Sequence, residues 1–75
     1  MNYDLNTTEG MNNAIAWTRK CFDQIKDGGR WIVPRSMTVV NINHSERIAT
    51  ITEGLVPDPS IKRVIEAMGW TAIEN

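Results

Sequence analysis

The side chains best suited to acid-base, nucleophilic or metal chemistry in this sequence are one histidine, His44, one cysteine, Cys21, and nine carboxylates. A structural zinc site takes four ligands, mostly Cys and His; with one of each, carboxylates would have to complete the set, and His44 reads as an exposed turn residue. Cys21 would need a base to lower its pKa before it acted as a nucleophile. Its place next to Phe22 reads as packing, where cysteine is a small apolar filler. Asp23 and Asp27 stand four apart on a helix surface, Asp58 reads as a helix cap, and Glu46, Glu53, Glu66 and Glu74 are scattered. Nothing brings two carboxyl groups into one apolar pocket, and so short a chain has little volume for a cleft of roughly 300 Å³ or more. Gly28-Gly29 precedes a strand, whereas phosphate-cradling loops follow one and open a helix. The sequence therefore predicts no catalytic residue, no metal, no cofactor and no enzyme.

A second group, Arg30, Trp31, Arg35 and Arg47, could serve recognition instead. An arginine at a hairpin tip can reach a phosphate or a guanine edge, and an exposed tryptophan can stack on a base. Lys62 and Arg63 would extend such a surface. Against it stand Asp27, Glu46 and Glu53 close by, and a formal charge of -1 where phosphate binding favours a basic balance. Charge along a sheet edge also discourages unwanted strand addition, and that is the plainer reading.

These residues must be positioned by the stretch 31–52, which is rich in β-branched residues and interrupted at Pro34-Arg35-Ser36 and Asn43-His44-Ser45-Glu46. Such short connections join antiparallel neighbours and cannot make a parallel crossover. Strands are expected at 30–33, 37–43 and 47–52. With His44-Ser45 at the turn centre, Ile42 faces Arg47 and Val40 faces Ala49, so Val40, Ile42, Ala49 and Ile51 share the buried face. Val39, Asn41, Ile48, Thr50 and Thr52 take the other. A first helix is expected over 7–26, opened by a capping box at Asn6-Thr7-Thr8-Glu9 and closed by Asp27-Gly28-Gly29. Its apolar face is Met11, Ala14, Ile15, Thr18, Phe22 and Ile25. A second helix runs from Asp58-Pro59 to Gly69, with Ile61, Val64, Ile65 and Met68 inward. Residues 70–73 add a fourth strand or pack Trp70 over the core, and residues 1–5 are loosely held. The expectation is one α+β domain spanning 1–75, ordered α-β-β-β-α(-β), a three-stranded antiparallel meander with two helices packed on one face.

That order resembles the double-stranded-RNA-binding domain over roughly residues 8–69. The family's histidine after the first strand is here replaced by Pro34-Arg35-Ser36, and its lysine run at the last helix by Asp58-Pro59-Ser60-Ile61-Lys62-Arg63. The resemblance implies topology and no site.

A single cysteine fits a reducing compartment, no apolar run reaches the ~18 residues of a bilayer span, and residues 1–6 do not read as a secretory leader; a cytoplasmic protein without membrane contact is expected. In size and balance the chain is similar to the short accessory proteins of bacteriophages and prophages. The function expected is therefore a non-enzymatic binding module that inhibits or modulates a host or defence protein. Its contact residues are taken as Trp31, Arg35, Val39, Asn41, His44, Arg47, Ile48 and Thr50. Trp31 is included because its neighbours alternate less cleanly than those of Trp17 or Trp70. The alternatives are a nucleic-acid-binding regulator using Arg30, Arg35 and Arg47, or a structural homo-oligomer, with a homodimer the simplest form.

Overall fold

In the computed structural model, which describes residues 3–75, helix α1 (Thr8–Asp23) begins where a threonine can satisfy a free backbone N–H. The Thr7 hydroxyl accepts from the Gly10 N–H at 3.0 Å and donates to the Asp4 carbonyl at 3.0 Å. The cap is thus one residue beyond the expected Asn6, and Glu9 is not the reciprocal partner of a capping box. Gly10 explains the shift: a Cβ there would lie 1.9 Å from the Asp4 carbonyl oxygen, so only glycine lets the incoming segment cross the first turn. Tyr3 and Leu5 consequently pack against the core, correcting the expectation of a loose 1–5 segment; for Met1 and Asn2 that expectation lies outside the described residues.

α1 stops at Asp23, short of Lys26, with Gln24 as C-cap. The two glycines serve the sheet instead. Gly28, at φ 83, donates to the Ile42 carbonyl at 2.8 Å, and Ile42 N–H donates to Gly29 O at 2.9 Å, extending the ladder between the first two strands.

Strands β1 (Arg30–Val33), β2 (Thr38–Asn43) and β3 (Ile48–Thr52) form the expected antiparallel meander. The β2/β3 register differs, however: Ile42 pairs with Ala49 and Asn43 with Ile48. The turn therefore holds four residues, 44–47, and its last, Arg47, sits at φ 55. The first hairpin has the same design, with Val33 paired to Thr38, a loop of 34–37 and Met37 at φ 58. A slip of two residues preserves parity, so the inward face survives the error. Val40, Ile42, Ala49 and Ile51 are all buried, joined by Trp31 and Val33 of β1.

α2 (Pro59–Ala67) follows with Asp58 at the N-cap and Pro59 at the first helical position, as expected, although the Asp58 side chain makes no cap hydrogen bond to the backbone. At the other end Gly69, at φ 89, donates to Glu66 O (3.0 Å) and Trp70 N–H to Ile65 O (3.3 Å). This is the paired closure by which a left-handed glycine ends a helix. It aims the chain into β4 (Thr71–Glu74), which runs parallel to β3 and completes a mixed sheet of order β1-β2-β3-β4. The fourth strand forms and Trp70 packs against the core as well, so the two expected uses of 70–73 coexist.

Both helices cover the same face of this α+β domain, and α1 packs on α2. Phe22 is the hub: its ring meets Trp31 edge-on at 5.5 Å and Trp70 at 5.0 Å, and Trp17 meets Trp31 at 5.6 Å. The double-stranded-RNA-binding order holds for the first five elements, with β4 added. Among the described residues no helix is long and apolar enough to cross a membrane.

Candidate functional site

Strand alternation puts the inward residues under the helices and leaves the outward ones with no element over them among the described residues. On this outer face Ile32 lies beside Val39, Arg30 beside Asn41, Asn41 beside Thr50, and Thr50 beside Ile73. Val39, Ile48 and Thr50 are half-buried and Asn41 is exposed. These four expected contact residues therefore share one surface. Ile32 and Ile73, respectively 50% and 44% exposed, belong to it too. Sequence reasoning missed both: the phase of β1 was unassigned, and β4 was optional.

The other expected residues go elsewhere. Trp31 is only 7% exposed and held edge-on by two aromatic rings; the inward phase of β1 corrects its assignment as a contact residue and removes it as a base-stacking platform. His44 is not a free turn residue either. Its Nε2 is 2.7 Å from the Ile25 carbonyl, which requires Nε2 to carry the proton, and its ring meets Trp70 edge-on at 5.6 Å. It latches the second hairpin to the end of α1. Asp27 reinforces this latch, accepting from His44 N–H at 2.8 Å and from the Ser45 hydroxyl at 2.8 Å. The Ser45 hydroxyl first, and then the His44 N–H, hold the Asp27 carboxyl below its ordinary range. Arg47 is exposed in the same turn.

Arg35 is exposed in the first hairpin, at the opposite end of the sheet, with Nη2 3.9 Å from Asp58 Oδ2. Arg63 lies on α2 and reaches the Leu5 carbonyl at 3.5 Å. The cations are thus divided among two sheet ends and a helix on the far side, and no single basic surface gathers them. Cys21 is half-buried, and burial raises its thiol pKa, away from nucleophilic use. Among the described residues no cluster of three or more His, Cys, Asp or Glu side chains is placed to hold a metal ion.

Exposed apolar side chains concentrate at the first-hairpin end. Leu55 is 84% exposed, and Val56 and Met37 are about half exposed. The Leu55 N–H donates to Ser36 O at 2.9 Å, which fixes this loop beside the hairpin. On the helical side, α1, α2, the 3–5 segment and the first hairpin enclose a cavity of about 450 Å³. This corrects the expectation that the chain has no room for a cleft. Its walls come from segments far apart in sequence, so no local pattern announces it.

Comparison with protein families, curated proteins and solved structures found no match.

Proposed function

We propose that this protein is a non-enzymatic binding module that engages a protein partner through the outer face of its sheet, with Val39, Asn41, Ile48 and Thr50 at the centre and Ile32 and Ile73 flanking. The observation that carries this reading is the pairing of Ile32 with Val39 and of Thr50 with Ile73 on a face that no helix covers among the described residues. Apolar side chains left contiguous on a small domain are a liability unless something docks there. Met37, Leu55 and Val56 are further exposed apolar side chains at the first-hairpin end of the sheet. Arg35, Arg47 and Arg30 are rim charges in this scheme, setting approach and register more than affinity. The partner class we favour is a host or defence protein that the module inhibits or modulates in the cytoplasm, in the manner of phage accessory proteins; the lone cysteine suits that compartment.

The test is capture of partners with wild-type protein and with Val39→Lys and Ile73→Asp as outer-face variants, each verified as folded by circular dichroism. A specific protein retained by wild type and lost with both variants supports the reading. Retention unaffected by either variant overturns it. Sedimentation of the same proteins identifies a second copy as the occupant if wild type dimerises and the variants do not. Binding to oligonucleotides that falls steeply with salt and is lost with Arg35→Ala and Arg47→Ala would assign the chain to nucleic acid instead.

A further inference from the structure

The 450 Å³ cavity on the helical side is within the ~300–1,000 Å³ range of small-molecule sites. Leu5, Ala14, Trp17, Val33 and Val64 give it a largely apolar wall, interrupted by polar side chains that include Thr18, Ser60 and Asp58. Of these, Asp58 has a side chain only 6% exposed, its Oδ1 accepts from the Ser60 hydroxyl, and its Oδ2 is buried with no hydrogen-bond partner. A buried acceptor left in that state is destabilising, so its persistence needs an explanation.

Charge narrows what can satisfy it. Arg35 Nη2, at 3.9 Å, is too far from Oδ2 for a hydrogen bond but close enough to offset the carboxylate's charge. The N-terminal end of α2, which Asp58 caps, adds partial positive charge. Oδ2 therefore lacks a donor and has little need of a cation. Asp58 also borders a second cavity of about 230 Å³, but Glu53 and Glu74 line that one, so an apolar body belongs in the first.

We propose that this cavity binds a small uncharged apolar molecule bearing one hydroxyl or N–H donor, with the body against Trp17 and Val64 and the donor on Asp58 Oδ2. The site lies on the opposite side of the sheet from the proposed partner surface and stands or falls independently of it.

Nitrogen-15 NMR titration tests it with indole as the probe, 1-methylindole as the same shape without a donor, and tryptamine as a cationic arm. Indole is expected to shift the Trp17 side-chain N–H and the backbone amides of Asp58 and of residues 60–64, leaving the outer sheet unmoved. Methylation of the nitrogen should weaken binding about tenfold, and Asp58→Asn should weaken indole by a similar factor. Should Asp58→Asn fail to fold, the comparison of indole with 1-methylindole on the wild-type chain carries the test alone. No shift at these positions up to the solubility limit overturns the site. Equal binding of indole and 1-methylindole overturns the role of Oδ2, and tighter binding of tryptamine overturns the charge argument.

Discussion

The two hairpins of this protein share a backbone design and are held by opposite means. Each has a four-residue loop whose last residue, Met37 or Arg47, is non-glycine at positive φ. The first is anchored by burial and close backbone contact. Ser36 and Thr38 are almost wholly buried, with their hydroxyls 2.7 Å apart, and Gly54 lies so close that a Cβ there would stand 2.2 Å from the Met37 carbonyl oxygen. The second is tied from outside, through Asp27 and the His44 ring. A strained turn conformation persists when its surroundings over-determine it, and these two loops show that a buried steric clamp and a more exposed hydrogen-bond clasp can both do so. They differ in what disturbs them: volume for the first, protons for the second.

The largest expected effect comes from adding one carbon to the first clamp. Gly54→Ala places a methyl group against the Ser36 and Met37 backbone, which cannot swing aside as a side chain would. It should cost about 3 kcal/mol or more, read by urea denaturation. An effect below about 1 kcal/mol would show that the 53–57 loop is free to lift away. Ser36→Ala should cost about 1–2 kcal/mol, because it strands the Thr38 hydroxyl in a dry site. Adding Thr38→Val should recover part of that loss in a double-mutant cycle; strict additivity would mean that the two hydroxyls are not coupled.

Smaller changes address what the hairpins share. Met37→Gly and Arg47→Gly each relieve a left-handed L-residue, at the expense of a more flexible unfolded chain. Both should raise stability by about 0.5–1 kcal/mol in thermal or urea melts. A loss at either position would mean that its side chain contributes more than its backbone costs. The smallest effect belongs to Asp27→Asn, and pH reveals it. The folded carboxyl titrates below its unfolded value, so its contribution is complete above the unfolded pKa of about 3.9 and is lost as pH falls through the lowered folded value. Wild type should exceed Asp27→Asn at neutral pH, and the two melting curves should converge in acid. A gap that stays constant with pH would remove the charged clasp from the account.

The same comparison explains how much could be read from the sequence. Strand order, the bounds of β1 and the inward set Val40, Ile42, Ala49 and Ile51 follow from alternation and short connections. The turn length does not, because the residues accepting positive φ are methionine and arginine, where glycine or asparagine would have signalled it. The faces survived because the resulting register error was even. Trp31 was misplaced for a related reason: the four residues of β1 carry apolar side chains on both faces at Trp31, Ile32 and Val33, and only the packing of Phe22 and Trp17 decides the phase. Of the candidate surface, Val39, Asn41, Ile48 and Thr50 were legible because they belong to β2 and β3. Ile73 depended on a strand whose pairing is set by the distant β3, and the cavity at Asp58 on four segments that only the tertiary fold assembles.

The direction of β4 has a bearing on the order of assembly. Its neighbour β3 comes from a local ribbon, but a parallel partner can be reached only after α2 has crossed the inner face and turned at Gly69. Long-range pairing of this kind is entropically late. Until it occurs, the β3 edge of the ribbon, where the Arg47 and Ile51 carbonyls later accept from the β4 segment, is open to any extended chain nearby, so a crowded folding mixture invites exchange of this strand between copies.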